Sequence, residues 1–109
     1  MVFIFEGEYL NGERKGKGKE YEYGQLFFEG EYLNGKRNGK GKEYYSNGNL
    51  LFKGEYLNGK EWEGEGYNEN NNIVYELKGG KGFIKEYWNG KLIFEGEYSE
   101  GYFIFRNKI

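Results

Sequence analysis

Eight residues, FEGEYLNG, stand at positions 5–12 and recur letter for letter at positions 28–35. The same stretch returns with one change as FKGEYLNG at 52–59 and with two as FEGEYSEG at 94–101. The aromatic residue that opens each unit falls at Phe5, Phe28, Phe52, Tyr75 and Phe94, in steps of 23, 24, 23 and 19 residues. A unit this short cannot bury an apolar face by itself, so a chain built from it gains stability by stacking each copy on the next. Residues 1–109 therefore read as a single array in which the fourth and fifth units are degenerate. The fourth, from Tyr75, keeps the second half of the pattern and loses most of the first.

Within a unit Phe5, Gly7 and Tyr9 alternate with Glu6, Glu8 and Leu10. That period of two marks a strand with one aromatic and one acidic face. Asn11-Gly12 is the dipeptide most favoured in a two-residue hairpin turn, since both central residues need positive φ. Folding there predicts Glu8 opposite Lys15, Gly7 opposite Gly16, Glu6 opposite Lys17 and Phe5 opposite Gly18. A wider loop with the strand restarting near Gly16 is the competing register. In the second unit the same rule sets Glu29 against Lys40, Gly30 against Gly39 and Phe28 against Gly41. The third unit carries one extra residue before Gly64 and Gly66, which predicts a β-bulge near Trp62. Further turns are expected at Tyr23-Gly24, Asn47-Gly48, Asn70-Asn71-Asn72 and Asn89-Gly90. The fold class that follows is all-β: a single-layer antiparallel meander of about five stacked β-hairpins, roughly 40 to 50 Å long at ~4.8 Å per strand.

Composition narrows the chemistry. Among 109 residues there is no Cys, His, Pro, Asp, Thr or Ala, while Tyr and Phe number 12 and 9. Without Cys or His there is no disulfide, thiolate nucleophile, ordinary zinc site or imidazole base, so neither catalysis nor a cofactor is expected. The remaining candidates, glutamates, tyrosines, lysines and the lone serines Ser46 and Ser99, recur as surface patterning or stand alone. The Gly-Lys-Gly-Lys run at 16–19 lacks the spacing of a phosphate-binding loop. A formal net charge of −2, with lysines interleaved among glutamates, argues against a nucleic-acid partner. No signal peptide or long apolar run is present, which points to an intracellular, cytoplasmic protein.

The second unit, with Phe28, Gly30, Tyr32, Gly35, Lys36, Gly39 and Gly41, resembles the MORN (membrane occupation and recognition nexus) repeat. The first matches at Phe5, Gly7, Tyr9, Gly12, Gly16 and Gly18, with Glu13 where that family usually has Lys. The third matches at Phe52, Gly54, Tyr56, Gly59 and Lys60 and then slips by one; the fifth keeps Phe94, Gly96, Tyr98 and Gly101. The resemblance implies an extended sheet of hairpins acting as a scaffold, a dimerisation element or a binding surface for partner peptides. It also implies two alternatives: peripheral binding of acidic phospholipids such as phosphoinositides, and a role in a bacterial antitoxin or immunity pair.

Two readings of the aromatic stripe stand side by side. It is the only apolar area a one-layer sheet can bury, and it is also a contiguous surface with no second layer to cover it. The expected partner-binding face comprises Phe5, Tyr9, Phe28, Tyr32, Phe52, Tyr56, Trp62, Trp88 and Tyr98, facing a protein or peptide partner or a second copy of the chain. Gly7, Gly16, Gly18, Gly30, Gly39, Gly41, Gly54, Gly64, Gly66 and Gly96 are expected to be structural. Lys15, Lys17, Lys40 and Lys42 are the residues that suit a lipid headgroup. Their cross-strand ladder with Glu6, Glu8, Glu29 and Glu31 disfavours a membrane, because neighbouring acids cancel most of the attraction. The densest apolar runs, Val2 to Phe5 and Phe103 to Phe105, are expected to cap the array or join copies end to end.

Overall fold

The computed structural model describes residues 2–109. Ten strands follow one another in hairpins: β1 (Phe3–Leu10), β2 (Glu13–Glu22), β3 (Gln25–Leu33), β4 (Lys36–Tyr44), β5 (Leu50–Leu57), β6 (Lys60–Tyr67), β7 (Ile73–Leu77), β8 (Lys81–Trp88), β9 (Lys91–Ser99) and β10 (Tyr102–Lys108). Every ladder is antiparallel and sequential, as the turn signals require. At the first turn both Asn11 (φ 50°) and Gly12 (φ 79°) are left-handed, the conformation that matches the twist of a tight hairpin.

The register departs from the simple count. Glu8 faces Lys15 as expected, but Gly7 then faces Gly18, Glu6 faces Lys19 and Phe5 faces Glu20. Two residues are looped out beside Gly16, whose φ of 68° turns the strand sharply. The second unit does the same at Gly39 (φ 96°), so that Gly30 meets Gly41 and Phe28 meets Glu43. A slip of two keeps every side chain on its face. The Glu-to-Lys pairing therefore survives with the next lysine along. In the third unit a single residue, Trp62, is left over between the pairs Glu55–Glu63 and Tyr56–Glu61, which is the expected bulge.

The corrected register aligns Gly7, Gly18, Gly30, Gly41, Gly54 and Gly64 in one row across six strands. Rings lie directly on this row. A Cβ built on Gly41 would stand 2.8 Å from both Phe28 Cζ and Tyr56 Cε1, and one on Gly18 would stand 2.6 Å from Phe5. The lane is therefore a floor that lets aromatic rings approach the backbone. The body measures 41 × 29 × 22 Å. Its smallest extent is about twice the ~10 Å spacing of packed sheets, so the layer is bent and not flat.

The expected all-β meander of hairpins is present as an open sheet of seven strands plus three: β1–β7 form one sheet and β10-β9-β8 a second, linked to the first through an isolated bridge between Lys78 and Lys81. The break falls at Gly79-Gly80, a tight turn with φ of 57° and 78°. Gly80 N donates to Trp62 O (2.8 Å) and Tyr98 Oη donates to Glu61 O (2.8 Å), so the second sheet is tied to β6. Leu77, Ile84 and Tyr98 are buried with the stripe residues in one core.

Candidate functional site

The aromatic stripe is an interlocked row. Phe5 meets Tyr32 edge-on at 5.1 Å, Phe28 meets Tyr32 at 5.7 Å and Tyr56 at 5.2 Å in the same way, and Phe52 meets Tyr56 edge-on at 5.6 Å and stacks on Tyr75 at 6.2 Å. Edge-to-face contacts set the positive rim of one ring against the negative face of the next, which adds to the area buried. Guanidinium groups roof the row: Arg14 lies 4.3 Å above Phe5 and Arg37 3.9 Å above Phe28.

Each tyrosine hydroxyl donates to a glutamate carboxylate. Tyr32 donates to Glu20, Tyr56 to Glu43 (2.7 Å) and Tyr75 to Glu61 (2.8 Å). Arg37 joins two of these acids, with Nε 3.0 Å from Glu20 and Nη1 3.9 Å from Glu43. Burial works to raise the Glu20 carboxyl, but the bonds from Arg37 and Tyr32 and the charges of Arg37 and Arg14 outweigh it and hold Glu20 below its usual range. Burial and the adjacent carboxylates push the Tyr32, Tyr56 and Tyr75 hydroxyls well up.

The third unit breaks the pattern. The residue opposite the stripe tyrosine is Arg14 in the first unit and Arg37 in the second, but Glu61 in the third. Burial raises the Glu61 carboxyl strongly, and the charge of Glu43 and a hydrogen bond to it raise it further. Burial and the neighbouring Glu43 thus favour the protonated form of Glu61. The two acids border a cavity of about 350 Å³ between the sheets, together with Tyr45, Tyr67, Tyr75, Lys85 and Tyr98. Burial also lifts the Tyr45 and Tyr98 hydroxyls to about 12.

Most of the expected contact face is closed. Phe28 and Phe52 are 0% exposed, Tyr32 4% and Tyr56 3%, and Tyr98, on β9 of the second sheet, is buried at 6%. These five are core residues: the glycine lane and the arginine roof close over the four stripe rings, and Tyr98 reaches from β9 to the Glu61 carbonyl of β6. Phe5 is half-buried, and so is Trp62, which packs on the Gly80 turn. Tyr9 and Trp88 remain open at 60% and 64%. The ten expected glycines do serve the backbone: six form the lane, Gly16 and Gly39 make the bulges, Gly66 lies against the Tyr75 ring, and Gly96 against β10. The residues that reasoning from the sequence passed over are Arg14, Arg37, Glu20 and Glu43. Their signal was the same 23-residue spacing, since each pair recurs at that interval.

On the opposite face the lane is the floor of a groove of about 980 Å³ walled by Glu6, Lys17, Lys19, Glu29, Glu31, Lys40 and their neighbours. Glu6 pairs with Lys19, Lys19 with Glu29, Glu29 with Lys42, Lys17 with Glu31 and Lys40 with Glu55. No helix among the described residues is long and apolar enough to cross a membrane.

The comparisons agree with this geometry. The family model of the MORN repeat matches residues 5–21 and 28–50, the two units that carry the arginine roof and the double bulge. No curated protein matches the chain.

Proposed function

We propose that this chain, which carries MORN repeats, is a non-enzymatic scaffold that binds a protein partner through the accessible end of its aromatic stripe, Phe5 and Tyr9 on β1. The observation that carries the reading is the contrast between identical positions. Tyr32 and Tyr56 are 4% and 3% exposed, each packed on the phenylalanine of the preceding unit, whereas Tyr9 is 60% exposed and, among the aromatic rings of the described residues, meets Phe5 of its own strand alone. Tyrosine is a favoured anchor because it offers a large rigid area and a hydroxyl for few rotatable bonds.

The scaffold reading is preferred to an enzyme because the groove is an open surface, most of whose acids face lysines across strands, and it offers no enclosed cleft to shield a reaction from water. A membrane role has less support, since the same alternation breaks any continuous basic strip. An antitoxin-like or immunity role is a special case of partner binding and would use the same surface.

The test is quantitative capture. The chain immobilised on resin should retain a defined protein from the source lysate, lose it with Tyr9→Ser, and keep it with Trp88→Ser. Equal capture by both variants would refute the assignment of this surface, and a stable dimer in light scattering that Tyr9→Ser dissolves would reassign it to self-association.

A further inference from the structure

We propose that the free edge of β1 is a strand-addition site for a partner segment of the form small-Lys-Gly-Lys-Glu; this rests on the protein-binding reading and names the chemistry of its occupant. The argument is an internal comparison. Strands β1 and β3 contain the same FEGEYL sequence, so they offer the same backbone and the same side chains. Strand β3 is flanked on both edges by a lysine strand. On one edge β2 sets Gly16 against Tyr32, Lys17 against Glu31, Gly18 against Gly30, Lys19 against Glu29 and Glu20 against Phe28. On the other, β4 sets Gly41 against Gly30 and Lys42 against Glu29. Strand β4 offers β5 the same series, with Gly39 against Tyr56, Lys40 against Glu55, Gly41 against Gly54 and Glu43 against Phe52; only Lys42 differs in partner, facing Lys53 where β3 has Glu29.

Among the described residues, strand β1 has a ladder on one edge alone, to β2, where Glu6 meets Lys19 and Gly7 meets Gly18. Its other edge is the one by which β3 holds β2. Transferred to β1, the observed register calls for a small residue opposite Tyr9, Lys opposite Glu8, Gly opposite Gly7, Lys opposite Glu6, and Glu opposite Phe5. Each element has a reason. The glycine lets the backbone lane continue, the lysines complement two acids that lack a partner on that side, and the glutamate accepts the Tyr9 hydroxyl as Glu20 accepts that of Tyr32. Main-chain bonding along an exposed edge supplies the affinity, and alternate side chains supply the selectivity.

A second copy fits poorly. Pairing β1 with another β1 sets Glu6 and Glu8 against like charges. The far edge strand, β10, carries Arg106 opposite Gly96 where the lane needs glycine, and that arginine is held by Glu86 and lies over Phe94. Against a second copy, the edge suits a basic, glycine-interrupted strand of a partner protein.

The probe is a fluorescent peptide with the sequence of residues 13–22, ERKGKGKEYE, titrated into the whole chain with amide shifts recorded in parallel. Saturable binding is expected, with the largest shifts between Phe3 and Tyr9. At least a tenfold loss is expected for the peptide carrying Lys17→Glu and Lys19→Glu, and likewise for Gly18→Val. Binding that ignores the charge reversal, shifts centred on the groove or β10, or no saturable binding at millimolar peptide would overturn the proposal. Lack of peptide binding alongside Tyr9-dependent capture of a protein would sink the strand-addition idea and leave the partner surface standing. Loss of both would remove the two together. Concentration-dependent dimerisation blocked by the peptide would give the edge to a second copy and overturn the assignment to a different protein.

Discussion

Replacing Phe28 by Ala tests whether the stripe is core or contact surface. The side chain is 0% exposed, packs edge-on against Tyr32 and Tyr56, and carries Arg37 at 3.9 Å. Deleting a fully buried phenylalanine costs about 3 to 5 kcal/mol. Loss of the guanidinium's seat removes roughly 0.5 to 1 kcal/mol more. Domains of this size are stable by about 5 to 15 kcal/mol, so the change consumes a large share of the margin. With a urea dependence of about 2 kcal/mol per M, the midpoint should fall by roughly 2 M. Phe5→Ala, at a half-buried ring, should move it by less than half as much. Far-UV circular dichroism reports the sheet and tryptophan emission reports Trp62 and Trp88, which lie in the third and fourth units. Coincident transitions would show that damage in the second unit reaches the far end of the array. If Phe28→Ala shifts the midpoint no further than Phe5→Ala, Phe28 is not a core residue and the account of the glycine lane fails with it.

Gly41→Ala should cost about 1 to 3 kcal/mol, because its methyl group meets Phe28 and Tyr56 at 2.8 Å and neither ring has room to retreat. Gly48→Ala, at φ 89° with nothing within 4 Å, should cost only the backbone strain of about 1 kcal/mol, and thermal melts of the two variants separate packing from conformation. Glu61 has a folded-state value raised above the ordinary 4.5, so the native chain holds more protons than the unfolded one. Its stabilising contribution is therefore full below pH 4.5 and is lost as pH rises through the folded value; Glu61→Gln should flatten that decline in urea titrations across pH, and an unchanged slope would contradict the raised Glu61 carboxyl. Glu20 behaves in the opposite sense: its carboxyl is held low chiefly by Arg37 once burial is overcome, so its contribution is present above pH 4.5 and lost as pH falls. Arg37→Gln should accordingly remove part of the acid sensitivity while costing about 2 to 3 kcal/mol at neutral pH, less than the full cost of breaking a buried pair because Glu20 and Glu43 keep some solvent contact.

The strand pattern, the hairpin turns and the Trp62 bulge were legible because each is local: alternation, an Asn-Gly pair and an inserted residue act within a few positions. The two-residue slip at Gly16 and Gly39 was not. The alternation of Lys15, Lys17 and Lys19 makes registers two apart chemically equivalent, and what decides between them is the approach of Phe5 and Phe28 rings to glycines on neighbouring strands. The fate of the stripe was likewise hidden. Whether Tyr32 is contact surface or core depends on Phe5, Arg37 and Glu20 arriving from other strands, and the burial of Tyr98 against β6 depends on a break at Gly79-Gly80 that reads in the sequence as one more turn.

Repetition itself creates a folding problem. Because β1 and β3 share six consecutive letters and β2 and β4 share Gly-Lys-Gly-Lys-Glu, a chain that skips one whole unit would form nearly the same ladders, with a 23-residue loop left out. Such a slip is penalised only where the copies differ. Glu61 in place of an arginine, the single looped-out Trp62 and the sheet break that follows are those differences. The irregular third unit thus acts as an index mark from which the identical units are counted, and making it more like its neighbours should increase kinetic trapping during refolding even if the native sheet gained stability.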